Sequence, residues 1–107
     1  MRRFMVGDLV VSEPQTYRER ARGLLGREGL AEDEALLLRN CRSVHTLGMA
    51  FPIDVVLLDS AWRTVKVVRM KPGRLLLPRT RVRHVLEVAP GRGLAAGEAM
   101  LRHPPSS

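Results

Sequence analysis

Ile53 to Leu58 reads IDVVLL, a nearly unbroken apolar run with Pro52 before it and the turn-forming Asp59-Ser60-Ala61 after it. A run this short and this rich in branched side chains is a strand buried on both faces. The turn leads into Trp62 to Met70 and so into a hairpin. Everything else in the chain has to be arranged around that central strand.

The flanking segments read as further short strands and one helix. Phe4 to Val11 is a first strand, with Gly7-Asp8 as a bulge or kink. Ser12 and Pro14 then signal a helix start. Tyr17, Ala21, Leu24 and Leu25 fall on one face of an amphipathic helix over Gln15 to Leu25, stopped by Gly26. Glu28 to Glu34 is a polar connector. Ala35 to Arg39 and Ser43 to Leu47 are extended, Lys71-Pro72-Gly73 is a turn, and Leu75 to Leu77 is a short strand.

Arg83 to Ala89 is the last clear strand. From Arg79 onward Thr80, Val82, His84, Leu86 and Val88 share one face, with Arg79, Arg81, Arg83, Val85 and Glu87 opposite. Leu94 to Leu101 is a short helix or a final strand. The pattern predicts a mainly β fold, a compact antiparallel sandwich or barrel-like domain with one N-terminal amphipathic helix. It is a single domain over residues 1–103, with 104–107 a disordered tail.

The net charge is +7. Between Ser60 and Leu86 there is no acid, while Arg63, Lys66, Arg69, Lys71, Arg74, Arg79, Arg81 and Arg83 are all cationic. A field of one sign suits a polyanion or an acidic protein face. Cys41 is the only cysteine, so no internal disulfide forms, which fits a reducing compartment. No apolar run approaches the ~20 residues of a membrane-spanning helix. Gly7 and Asp8 break the N-terminal apolar stretch before a leader core can form. The expected location is the cytoplasm.

Several blocks carry a family resemblance: ARGLLGREGLAEDEALLL (Ala21 to Leu38), SVHTLGM (Ser43 to Met49), PIDVVLLD (Pro52 to Asp59), VLEVAPGRG (Val85 to Gly93) and the step Gly97-Glu98. In that order they resemble the domain of unknown function 192 family of bacteria and archaea, over nearly the whole chain. The resemblance implies a compact β-sandwich or barrel with one helix and brings no reaction with it. It also implies an Asp or Asn with Gly in the hairpin after PIDVVLLD, where this chain has Ser60-Ala61-Trp62.

Cys41, His45 and Met49 carry soft-metal donor chemistry. In extended chain, however, four residues span ~13 Å, too far for one ion with bonds near ~2 Å. No metal and no cofactor is therefore expected. Cys41 as a nucleophile needs a base, which His45 or His84 could supply through sheet pairing. The bland alternative is a small core cysteine.

Asp54, at the mouth of the buried strand, is expected to tie the Gly48 to Pro52 loop or to join His45 in a polar cluster. Gly91, Gly93 and Gly97 have the wrong spacing for a dinucleotide fingerprint and suit turns and close packing. Trp62 reads as the lid of a satellite cluster. Phe51-Pro52 is open to either isomer.

The leading expectation is a non-catalytic binding or accessory module. It would recognise a protein partner or small ligand through His45, Thr46, Met49 and Asp54. The alternative is polyanion or nucleic-acid binding through Arg63, Arg69, Arg79, Arg81 and Arg83, and the third is a small hydrolase built on Cys41 and a histidine.

Overall fold

A computed structural model describes residues 1–105. In chain order the elements are β1 (Arg2–Val6), β2 (Leu9–Glu13), α1 (Tyr17–Arg22), β3 (Glu34–Leu38), β4 (Val44–His45), β5 (Ile53–Leu58), β6 (Thr64–Met70), β7 (Leu75–Leu76), β8 (His84–Val88) and α2 (Gly93–Arg102). Six strands form one sheet in the order β1-β2-β3-β8-β5-β6, and β4 pairs with β7 as a separate ribbon. The sheet is open, with β1 and β6 as its edges, so no barrel closes.

Neighbours are antiparallel except β2 and β3, which run parallel. A parallel pair needs a crossover, and the chain from Pro14 to Asp33, carrying α1, supplies it. The fold is mainly β as expected, but in place of an antiparallel sandwich or barrel it is an open mixed sheet covered on both faces. The residues of the expected tail that lie beyond 105 fall outside the described structure.

β5 is the strand that both faces share. Val56 and Leu58 enter one core with Val11, Leu37, Leu86, Val88 and, from α2, Ala96 and Met100. Ile53, Val55 and Leu57 enter the other with Leu24, Leu36, Val44, Phe51 and Val85. Burying a side chain of this size contributes roughly 1.5–3 kcal/mol, so the central strand anchors two layers at once.

The segment expected as a bulge is a hairpin turn. Gly7 (φ 59°) takes its first central position, where a side chain would be strained. α1 is shorter than the periodicity predicts. Thr16 caps it through a capping box with Glu19, and Gly23 (φ 49°) ends it. None of its residues is buried, and Tyr17 is 88% exposed. The apolar anchor of the crossover is Leu24, just past the helix.

Residues 94–101 belong to a helix, α2, which lies across β5, β6 and β8. It sits close because Gly93 and Gly97 face the sheet. A Cβ on Gly93 would collide with Val67 Cγ1, and one on Gly97 with Thr64 Oγ1. Among the described residues every peptide bond is trans, Phe51-Pro52 included, and no helix is long and apolar enough to cross a membrane.

Candidate functional site

The alternation of β8 sends Leu86 and Val88 toward α2, and Val85 and Glu87 toward the opposite core. Glu87 is thereby set between Leu36 of β3 and Val55 of β5, its partners in register. It is 5% exposed. No hydrogen bond or ion pair holds its carboxyl among the described residues, and burial alone pushes it up from 4.5 to about 7. A buried acid without a partner is costly when ionised.

Glu87 closes the base of a cleft of about 180 Å³. Leu24, Leu25, Leu38, Val44 and Met49 give the cleft apolar walls, and Cys41, His45 and, from α1, Arg20 and Arg22 also line it. The Arg20 guanidinium donates to the Arg39 carbonyl at 3.2 Å. The Cys41 thiol donates to the Ser43 carbonyl at 3.1 Å, and no hydrogen bond joins it to an imidazole among the described residues.

Cys41, His45 and Met49 line one cleft, and the chain turns at Gly48 (φ 79°) between His45 and Met49. Even so, no three His, Cys, Asp or Glu side chains among the described residues are placed to hold a metal ion.

The residues singled out from the sequence divide between two faces. His45 and Met49 belong to the cleft. Thr46 is fully buried and faces the turn after β6: its hydroxyl donates to the Lys71 carbonyl at 2.6 Å and accepts from the Arg74 N–H at 2.9 Å.

Asp54 points to the α2 side of the sheet, away from the cleft. One oxygen accepts from Arg69 Nε, the other from the N–H groups of Gly91 (2.9 Å) and Gly93 (3.1 Å). It therefore fastens the start of α2 rather than the Gly48 to Pro52 loop, because the odd residues of β5, not the even ones, face that loop. A carboxylate at a helix N-terminus is favourable in its own right.

The basic segment is also divided. Arg63 pairs with Asp59 at 3.5 Å and Arg69 pairs with Asp54. Arg79, Arg81 and Arg83 are exposed but precede β8. Arg81 has a positive φ (75°), so the alternation expected through residues 79–83 is not formed. Arg81 and Arg83 instead line a shallow hollow of about 340 Å³ with Arg42, Ser60 and Thr80.

At the other end of the α2 face, Trp62 stacks on His84 with centroids 4.1 Å apart and planes 9° from parallel. The Arg39 guanidinium lies 5.4 Å from the Trp62 ring and pairs with Glu13 at 2.7 Å. His84 Nδ1 accepts from the Asn40 N–H at 3.1 Å, which places any single ring proton on Nε2. Desolvation, then Arg39 and Arg83, hold its pKa below the usual value. His84 is committed to this cluster, on the opposite side of the sheet from the cleft. Trp62 adopts φ 65°, a strained value for a bulky residue, and the ring stack holds it there.

Glu87 was not a candidate from the sequence, where it was grouped with the arginine face. The signal that could have found it is its place as the one acid inside HVLEV, a strand buried throughout.

Comparison with known proteins places this geometry in a lineage. Residues 7–100 match the model of the family described as Uncharacterized ACR, COG1430 (DUF192), and the chain belongs to that family. UPF0127 protein PH1112 of Pyrococcus horikoshii is 42% identical over 45 residues, a stretch covering 42% of this chain and 39% of that protein. The aligned stretch thus spans well under half of that relative.

A protein of unknown function from Novosphingobium aromaticivorans has a similar structure. Its TM-score is 0.65 at 25% identity, over 87% of this chain and 71% of that one. A Sinorhizobium meliloti protein named "a putative transcription regulator" has a TM-score of 0.71 at 21% identity, over 83% of this chain and 74% of that one. At that identity the likeness speaks for the fold alone.

Proposed function

We propose that this member of a family without an assigned reaction is a non-catalytic binding module, and that its ligand site is the cleft floored by Glu87. One observation carries the reading: a buried carboxyl with no partner opens into a cavity with apolar walls. Protein interiors satisfy their polar groups, and an exception aimed into a cavity is what a ligand would complete. His45 and Met49 of the SVHTLGM block contribute to the same wall. The Cys41 thiol donates to the Ser43 carbonyl rather than to an imidazole, which favours binding over catalysis. Residence in the cytoplasm belongs to this reading, supported by a lone cysteine that is free and half-buried.

The test is a small-molecule screen read by methyl NMR. Ligands of the cleft should shift the methyls of Leu24, Leu38 and Val44, and Leu24→Trp, which fills the space, should abolish those shifts. A broad screen whose hits all fall elsewhere would reject the reading.

A second reading, polyanion binding, draws support from the hollow between Arg42, Arg81 and Arg83. If it holds, log affinity for nucleic acid falls steeply with log salt. The slope should become shallower when those three arginines are changed to glutamine. A slope left unchanged by the three substitutions would reject it.

A further inference from the structure

We infer that the cleft takes a small dipolar ligand, an aliphatic amino-carboxylate, with its ammonium against Glu87 and its carboxylate against Arg22. This rests on the cleft being the ligand site and goes further by naming the ligand's chemistry.

The charge layout makes the choice. At the base stands a single carboxyl without a partner, 5% exposed. At the mouth stand two arginines of α1. The Arg20 guanidinium is engaged with the Arg39 carbonyl, whereas the Arg22 side chain is exposed and makes no hydrogen bond or ion pair among the described residues.

A plain amine would have to pass cations to reach Glu87. A plain carboxylic acid would meet Arg22 favourably but press its apolar end on an unpaired acid. A ligand that carries both charges side by side answers both groups and has no net charge to be repelled.

The rest of the lining includes Leu24, Leu38, Val44 and Met49, so the side chain that branches from the carbon bearing both charges is aliphatic. The space of about 180 Å³ is that of roughly six waters in the liquid, which sets the ligand on the scale of one amino acid. Folding has already stripped water from Glu87. The cost of desolvating that partner of the ion pair is therefore met before binding, which is preorganisation.

The groups facing Glu87 are few. Arg20 and Arg22 of α1 and Cys41 and His45 of the β3–β4 segment line the same cleft, and the partners of Glu87 in register on the flanking strands are Leu36 and Val55. Burial holds the empty carboxyl at about 7. Ammonium binding requires it ionised, so affinity must rise with pH across neutrality and level off above it.

The experiment compares three probes of one carbon skeleton, L-leucine, 3-methylbutylamine and 4-methylpentanoate, by titration with methyl NMR detection. Leucine should bind at least about tenfold more tightly than either one-charge probe, the scale of one hydrogen bond to a charged group. Its affinity should rise roughly tenfold from about pH 6 to about pH 8. Glu87→Gln should flatten that dependence. Arg22→Gln, at an exposed position that leaves the core intact, should bring leucine down to the level of the amine.

Binding of 4-methylpentanoate as tight as that of leucine, or leucine affinity that falls as pH rises, would overturn the inference. The cleft would still stand as a ligand site if the Leu24 and Val44 methyls moved. No shift with leucine would overturn it too, and the proposed function would then stand or fall on the wider screen.

Discussion

Replacing Glu87 with glutamine should stabilise the protein at neutral and alkaline pH and lose that advantage in acid. The side chain keeps its shape, so the two cores should be unaffected. In the folded protein the carboxyl titrates at about 7, against 4.5 for the free group, because burial disfavours its charge. Lifting a carboxyl by that much costs about 3 kcal/mol once it is ionised, at 1.36 kcal/mol per pH unit.

The direction follows from proton counting. Between 4.5 and about 7 the folded state holds a proton that the unfolded chain has released. The contribution of Glu87 is thus fully present below the lower value and is lost as pH rises through the upper one. The glutamine variant has no such loss.

Urea denaturation of both proteins across about pH 4 to about pH 8.5 reads the difference. The variant should gain up to about 3 kcal/mol relative to wild type, nearly all of it below about pH 7.5. A constant offset of either sign is expected from swapping acid for amide and does not bear on the argument. A difference flat with pH, or one growing toward acid, would refute it.

Three other outcomes follow from the packing. Asp54→Ala should cost about 2–4 kcal/mol in urea melts, since it strands the Gly91 and Gly93 N–H groups at the start of α2. The half-exposed Arg69 adds little to that figure, and an unchanged midpoint would refute the fastening role. Gly97→Ala should cost about 1–3 kcal/mol by pushing α2 off Thr64, whereas Gly29→Ala, with open space around it, should be nearly neutral. Equal effects at the two positions would contradict the close packing. Changing Arg79, Arg81 and Arg83 together to glutamine should leave the melting temperature within a few degrees, because all three lie outside the strands. A collapse of folding would show that they carry contacts the structure does not contain.

The sequence was most legible where burial is total. IDVVLL announces β5, HVLEV announces β8, and Asp59 to Trp62 marks the hairpin between β5 and β6. It was least legible where one backbone angle redirects a regular pattern. The alternation through Phe4 to Val11 hides a complete hairpin at Gly7, and the helical spacing of Tyr17 to Leu25 hides the stop at Gly23. Extending strand alternation back through Arg79 to Arg83 put Glu87 on a surface face, whereas Arg81's left-handed backbone ends the pattern three residues before His84.

The same limit applies to the cleft. Cys41, His45 and Met49 are spaced along the chain and yet line one cleft, with a turn at Gly48 between His45 and Met49. The parallel pairing of β2 with β3, which lays the crossover over Glu87, has no local signature at all.

The most direct test is the ¹³C titration of the Glu87 side-chain carboxyl in the ligand-free protein. A midpoint near 7, in line with burial without a partner, is the predicted result. It should fall when an ammonium-bearing ligand fills the cleft. A midpoint at the ordinary 4.5 would mean that the carboxyl is solvated or paired, and the account of the cleft would be wrong.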